Sequence, residues 1–249
     1  MTRSPVAVVL FSLLFVGCAG EQAAVKQGRA DSHYNIGLAH LTSGDAKQAI
    51  GEFSQAIGEA PDNPAYNNAI GLAYLLNRRT DLAIASFQKA IQLDPKFSDA
   101  YNNLGSAYVQ RQEYDRAIKA FKQALANPAY LTPEQAHLNL GNIYVVKGQF
   151  PEAIEEFKRA LDVSPDFAEA HNRLGYVYLV QRRSELAIAE LTLALKQAPE
   201  LATAHQSLGF AYLLAGEKDR ARQAFQKVLE LNPTSEMAAE AMRQLKQLN

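Results

Sequence analysis

From about residue 30 onward, apolar residues recur at helical spacing in short paired runs. Leu104 and Tyr108 form one such run, and Ala117, Ile118, Phe121 and Leu125 form the next. The pair predicts two antiparallel helices, and the same pair returns along the chain. A glycine preceded by Ile or Leu stands at 37, 71, 105, 141, 175 and 209, with separations of 34, 34, 36, 34 and 34. Twelve residues after each glycine comes an alanine: Ala49, Ala83, Ala117, Ala153, Ala187 and Ala221. Four further on stand Phe53, Phe87, Phe121, Phe157, Leu191 and Phe225, followed after three more by Ala56, Ala90, Ala124, Ala160, Ala194 and Val228.

Small residues at the glycine and first alanine positions let paired helices approach closely, while the phenylalanine is expected to fill the space toward the neighbouring unit. Pro61, Pro95, Pro165, Pro199 and Pro233 close five of the six units, because proline opposes helix continuation and displaces its predecessor from helical geometry. Gly44, Gly148 and Gly216 suit the turn inside a unit, and Pro151 suits a first helical turn.

The pattern resembles the tetratricopeptide repeat, a helix-turn-helix unit of 34 residues, in all six units. That resemblance implies an all-α fold: a right-handed superhelical solenoid of six tetratricopeptide repeats with a C-terminal capping helix. Repeats are expected to start near residues 30, 64, 98, 134, 168 and 202. Residues 236–249 form the cap, where Met237, Met242, Leu245 and Leu248 make an apolar stripe beside Arg243, Lys246 and Gln247.

The N-terminus has a different pattern. Arg3 precedes an apolar run from Val6 to Val16, and Gly17 and the chain's single cysteine, Cys18, follow. This is the layout of a bacterial export signal, and the run is shorter than the ~20 residues a membrane-spanning helix needs. Phe15, Val16, Gly17 and Cys18 resemble a lipobox, although Phe15 stands where leucine is usual. The resemblance implies removal of residues 1–17 and acylation of Cys18, with residues 18–29 as a short flexible leash and 30–249 as the repeat domain. Several acyl chains at ~0.8 kcal/mol per buried methylene would anchor a soluble domain to the membrane. Ala19 in place of aspartate implies the periplasmic face of the outer membrane by the lipoprotein sorting rule.

Composition narrows the function. Of 249 residues, 48% are hydrophobic and 20% charged, which fits a folding chain. Twenty-five Lys and Arg against 26 Asp and Glu give a net charge of -1, so no field favours nucleic acid. His33, His137, His171 and His205 each precede a glycine by four residues and therefore fall on different helices, where they read as packing residues rather than a metal site. Glu155, Glu156, Lys158 and Arg159 read as a solvated helix face. No metal, cofactor, catalytic residue or small-molecule substrate is expected, and no enzyme motif is present.

A protein partner is expected in a concave groove lined by the first helix of each unit. Asn35, Asn68, Asn102, Asn103, Asn139 and Asn172 precede the glycines as a ladder of amides suited to a peptide backbone, with Asn142 just beyond. Leu38, Leu72, Tyr176 and Phe210 follow one turn on, with Leu76, Val146, Val180 and Leu214 near the inner edge. The same asparagines and apolar residues could instead pack between repeats.

The one spacing of 36 arises at the junction Ala126–Ala136. Its run Asn127-Pro128-Ala129-Tyr130-Leu131-Thr132-Pro133, with Asn102-Asn103-Leu104-Gly105 before it and Asn139-Leu140-Gly141-Asn142 after it, is similar to the type IV pilus pilotin lipoproteins (the PilF, PilW and Tgl group). This resemblance implies a non-enzymatic outer-membrane protein that helps the pilus secretin localise and assemble. The alternative is a periplasmic tetratricopeptide scaffold for other envelope, secretion or peptidoglycan machinery.

Overall fold

The computed structural model describes the backbone of residues 6–248 and the side chains of residues 22–248. The side chains of the expected signal segment and of Cys18 lie outside the described residues. Among the described residues there are thirteen α-helices and no strand. They pair as α1 (Val6–Thr42) with α2 (Ala46–Glu59), α3 (Pro64–Leu76) with α4 (Thr80–Leu93), and α5 (Ser98–Gln110) with α6 (Tyr114–Leu125). Next come α7 (Pro133–Val146) with α8 (Phe150–Val163), α9 (Ala168–Val180) with α10 (Ser184–Gln197), and α11 (Ala202–Leu214) with α12 (Lys218–Leu231). The last helix, α13 (Glu236–Leu248), packs on α12.

The hairpins fall into two compact units. One ends at Asn127 and holds three hairpins, and the other begins at Pro128 and holds three hairpins and α13. The division lies inside the junction that breaks the 34-residue spacing. There α6 stops at Leu125, Ala126 caps it, and Leu131 is 91% exposed. Within each unit the first helices lie side by side, α1 with α3 and α5, and α7 with α9 and α11.

Each hairpin is closed by its own glycine against a large apolar side chain of its second helix. A Cβ placed on Gly71 would lie 2.5 Å from the ring of Phe87, and one on Gly105 would lie 2.7 Å from the ring of Phe121. The phenylalanines therefore occupy the space left by the glycine of the same hairpin, and they also reach the next one, as the sequence suggested: Phe53 shares a buried cluster with Ala69, Ile70 and Ala73 of the following hairpin. The fifth hairpin is closed in the same way by Gly175 and Leu191. All six of these large side chains, and the alanines at 49, 83, 117, 153, 187 and 221, are fully buried.

The turn inside each hairpin contains one left-handed residue. It is Gly44, Gly148 or Gly216 in three hairpins, and Arg78, Gln112 or Arg182 in the others, with φ between 57° and 83° throughout. Glycine adopts this conformation freely, and side-chain-bearing residues there carry about 1–2 kcal/mol of strain. Helix starts are fixed more locally. Asp45 accepts from the Gln48 amide and Asn63 from the Ala65 amide, while Pro64, Pro133 and Pro151 occupy first turns.

The stretch expected to be a flexible leash is helical where it is described, because α1 continues through it. Residues 22–29 are exposed, and burial begins at Ala30. Ala23, Ala24, Lys26 and Gln27 are good helix formers. The end of this stretch is also tied to its neighbours: Gln27 donates to the Tyr66 hydroxyl at 2.9 Å, and Arg29 pairs with Glu59 at 3.1 Å.

Candidate partner-binding faces

The first helices of each unit carry the residues expected to meet a partner. In the first unit, Asn103 donates its amide to Asn68 at 2.9 Å, so these two asparagines join α5 to α3. Asn67, beside them, is buried and donates to the Asn63 carbonyl at 3.0 Å. Asn35 is exposed, Asn102 and Leu72 are half-buried, and Leu38 packs against the cluster containing Phe53 and Ile70.

In the second unit, Asn172 is only 4% exposed and donates to the Thr203 hydroxyl at 3.1 Å, linking α9 to α11. It is not available to a partner as the sequence suggested. Asn139 and Asn142 are half-buried on α7. The asparagines do not form one ladder. Asn68, Asn102 and Asn172 stand three residues before their glycines and Asn35, Asn103 and Asn139 two before, which is about 100° apart around a helix. In each unit an asparagine links adjacent first helices, Asn103 to Asn68 in the first and Asn172 to Thr203 in the second.

The surface left open is apolar. On α9, Tyr176 and Val180 are 43% and 44% exposed on one face, a turn apart, and Val146 on neighbouring α7 is 63% exposed. Phe210 on α11 is half-buried, with its ring edge-on to Phe225 at 5.2 Å. It supports the face more than it offers itself to a partner. In the first unit Ile36 and Leu76 are exposed. Ile36 was not singled out from sequence, where it reads only as the apolar residue before Gly37.

Three of the four repeat-equivalent histidines meet a glutamate of their own hairpin. His33 Nδ1 lies 2.7 Å from Glu52, His137 Nδ1 2.6 Å from Glu156, and His171 Nδ1 2.7 Å from Glu190, each glutamate being on the second helix of the same hairpin. His171 Nε2 also lies 3.0 Å from the Pro165 carbonyl, and His205 Nε2 lies 2.8 Å from that of Pro199. Glu156 is therefore buried, 8% exposed, and does not belong to the solvated face suggested by its charged neighbours. Among the described residues no group of three or more potential ligands could hold a metal ion.

Titration is perturbed most clearly at Tyr66. Burial first, then the Asp31 carboxylate to which the hydroxyl donates, push its phenol up to about 12. This residue ties α3 to α1 and faces no open site.

Family models described as tetratricopeptide repeat match residues 22–64, 34–96, 68–132, 168–201 and 202–235, and one described as TPR repeat matches residues 134–181. No curated protein matches the sequence. Among solved structures, the chain is similar to PilW, described as a widely conserved type IV pilus biogenesis factor. Identity is 22% and TM-score 0.78, over 86% of this chain and 98% of PilW. It is similar to PilF of Pseudomonas aeruginosa at 18% identity and TM-score 0.79, over 88% of this chain and 99% of PilF. It is also similar to YrrB, described as a TPR protein with an unusual peptide-binding site, at 22% identity and TM-score 0.59, over 77% and 97%. With six matching hairpins, each closed by a glycine against a buried large side chain, the chain belongs to the tetratricopeptide repeat family.

Proposed function

We propose that this protein is an outer-membrane lipoprotein of the pilotin kind, a scaffold without chemistry of its own that assists localisation and multimer assembly of the type IV pilus secretin. The observation that carries the reading is a contrast at equal identity. PilW and YrrB are each 22% identical to the chain, yet the TM-score is 0.78 against PilW and 0.59 against YrrB. Repeat sequence is common to both, and the likeness to PilW extends over more of this chain, 86% against 77%. The near-complete coverage of PilW and PilF supports the same reading.

In this reading Cys18 carries the lipid, and the protein stands on the periplasmic face of the outer membrane. Among the described residues no helix is long and apolar enough to cross a membrane; in this reading the acyl chains on Cys18 supply the attachment. The apolar face of Val146, Tyr176 and Val180 suits a client segment with apolar side chains, and lipid tethering would raise that client's effective concentration at the membrane. The test is a strain lacking the gene. Loss of heat-resistant secretin multimers, restored by the wild-type chain but not by Cys18→Ser, is the expected result. Normal multimers would instead favour a scaffold for other envelope machinery.

A further inference from the structure

The turn of the second hairpin borders an open cavity of about 550 Å³ lined by Arg78, Arg79, Thr80, Asp81, Leu82 and Arg111. Arg111 is held in place by Asp81 at 2.5 Å and by Glu113 at 2.7 Å. Thr80 donates to Gln110 at 3.2 Å. Arg78 and Arg79 make no ion pair and no side-chain hydrogen bond among the described residues, and both are exposed. Neither holds the fold together. Arg78 also occupies the left-handed position, with φ of 57°, which glycine fills in three other hairpins.

The same residues return in the fifth hairpin. Arg78 to Ala85 reads Arg-Arg-Thr-Asp-Leu-Ala-Ile-Ala, and Arg182 to Ala189 reads Arg-Arg-Ser-Glu-Leu-Ala-Ile-Ala. Packing accounts for Ala83, Ile84 and Ala187, which are buried or nearly so, but not for the exposed arginines or for Leu82 and Leu186, 40% and 39% exposed. The second copy is weaker as a cationic site. Arg183 lies over the Tyr178 ring at 4.9 Å, and Ala215 stands at the place of Arg111.

We propose that the cavity at Arg78, Arg79 and Arg111 binds a phosphate-class oxyanion. Three guanidinium groups offer more donors than the Asp81 and Glu113 carboxylates can accept, and planar guanidinium pairs with phosphate oxygens in bidentate fashion. Two of the three are uncommitted, and the third is already oriented by Asp81 and Glu113. The cavity is open to solvent and its charge is confined to Arg78, Arg79 and Arg111 around one turn, which suits a headgroup or a free phosphate ester.

The test uses the purified full chain, with inorganic pyrophosphate followed by calorimetry and thermal melting at fixed ionic strength. Saturable one-site binding is expected. Arg78→Gly combined with Arg79→Ala should weaken it by about tenfold or more, while Arg182→Gly should leave it unchanged. Because glycine is at ease at position 78, the melting temperature without ligand should not fall, which separates lost binding from lost folding. Co-sedimentation with phosphatidylglycerol vesicles, against phosphatidylcholine vesicles, distinguishes the source. Binding reduced by the double substitution assigns a lipid headgroup, whereas pyrophosphate binding without vesicle binding assigns a soluble phosphate. No saturable binding, equal binding by the double variant, or tighter capture of a glutamate-rich peptide at these arginines would overturn the proposal.

Discussion

At the scale of single residues, Tyr66 links local chemistry to stability. Its hydroxyl donates to Asp31 and accepts from Gln27, and its ring lies 5.1 Å from that of Tyr34. The phenol's ordinary value is 10.0, and in the fold it is pushed up to about 12. The unfolded chain therefore releases this proton first. The stabilisation is complete below pH 10 and is lost as pH rises toward 12, amounting to about 2–3 kcal/mol. Denaturant unfolding followed from pH 9 to 12 should show this loss in the wild type and a shallower one in Tyr66→Phe. Parallel slopes for the two proteins would contradict it.

Residue chemistry was only partly legible in the sequence. Glu155 and Glu156 are neighbours in a charged run, yet Glu155 pairs with Arg159 at the surface while Glu156 is buried against His137. Nothing in a linear charge pattern distinguishes them. The signal lay in register, because Glu52, Glu156 and Glu190 each stand nineteen residues after a histidine. In the same way Arg78, Gln112 and Arg182 hide the left-handed turn that Gly44, Gly148 and Gly216 announce.

At the scale of the helical hairpin, the glycine positions carry the most stringent requirement. Replacing a helix-interior glycine by alanine ordinarily gains about 1 kcal/mol in backbone propensity. At Gly105 the added Cβ would meet the Phe121 ring at 2.7 Å, and that ring is fully buried. Overpacking of this kind costs about 1–3 kcal/mol and outweighs the gain. Gly105→Ala should therefore lower the melting temperature, whereas Gly51→Ala, whose Cβ would meet nothing within 4 Å, should not. An unchanged melt for Gly105→Ala would remove the glycine-aromatic closure from the account. Helix existence and pairing were readable because every hairpin repeats the same small and large positions. Less legible was that Phe121 also fills the space left by Gly105 of its own hairpin, because spacing along the sequence does not say which side chains meet across a helix pair. The asparagines failed for a related reason: positions one residue apart look alike in sequence but point about 100° apart on a helix.

At the scale of the molecule, the break in spacing marks a real boundary. The two compact units meet in the chain between Asn127 and Pro128, within the junction that carries two extra residues. Each unit shows on its first helices an apolar surface that its own hairpins do not cover: Ile36 and Leu76 in one, Val146, Tyr176 and Val180 in the other. Stacked hairpins bury their second-helix phenylalanines and leave these side chains to solvent, which is the physical basis for expecting a polypeptide client there. The central claim is that this face holds the secretin. The most direct measurement places a photo-crosslinking amino acid at Tyr176 in the native envelope, with Leu193 on α10 as the control position. The account predicts a secretin adduct from position 176 and none from 193. An adduct only from 193, or none with secretin from 176, would contradict it.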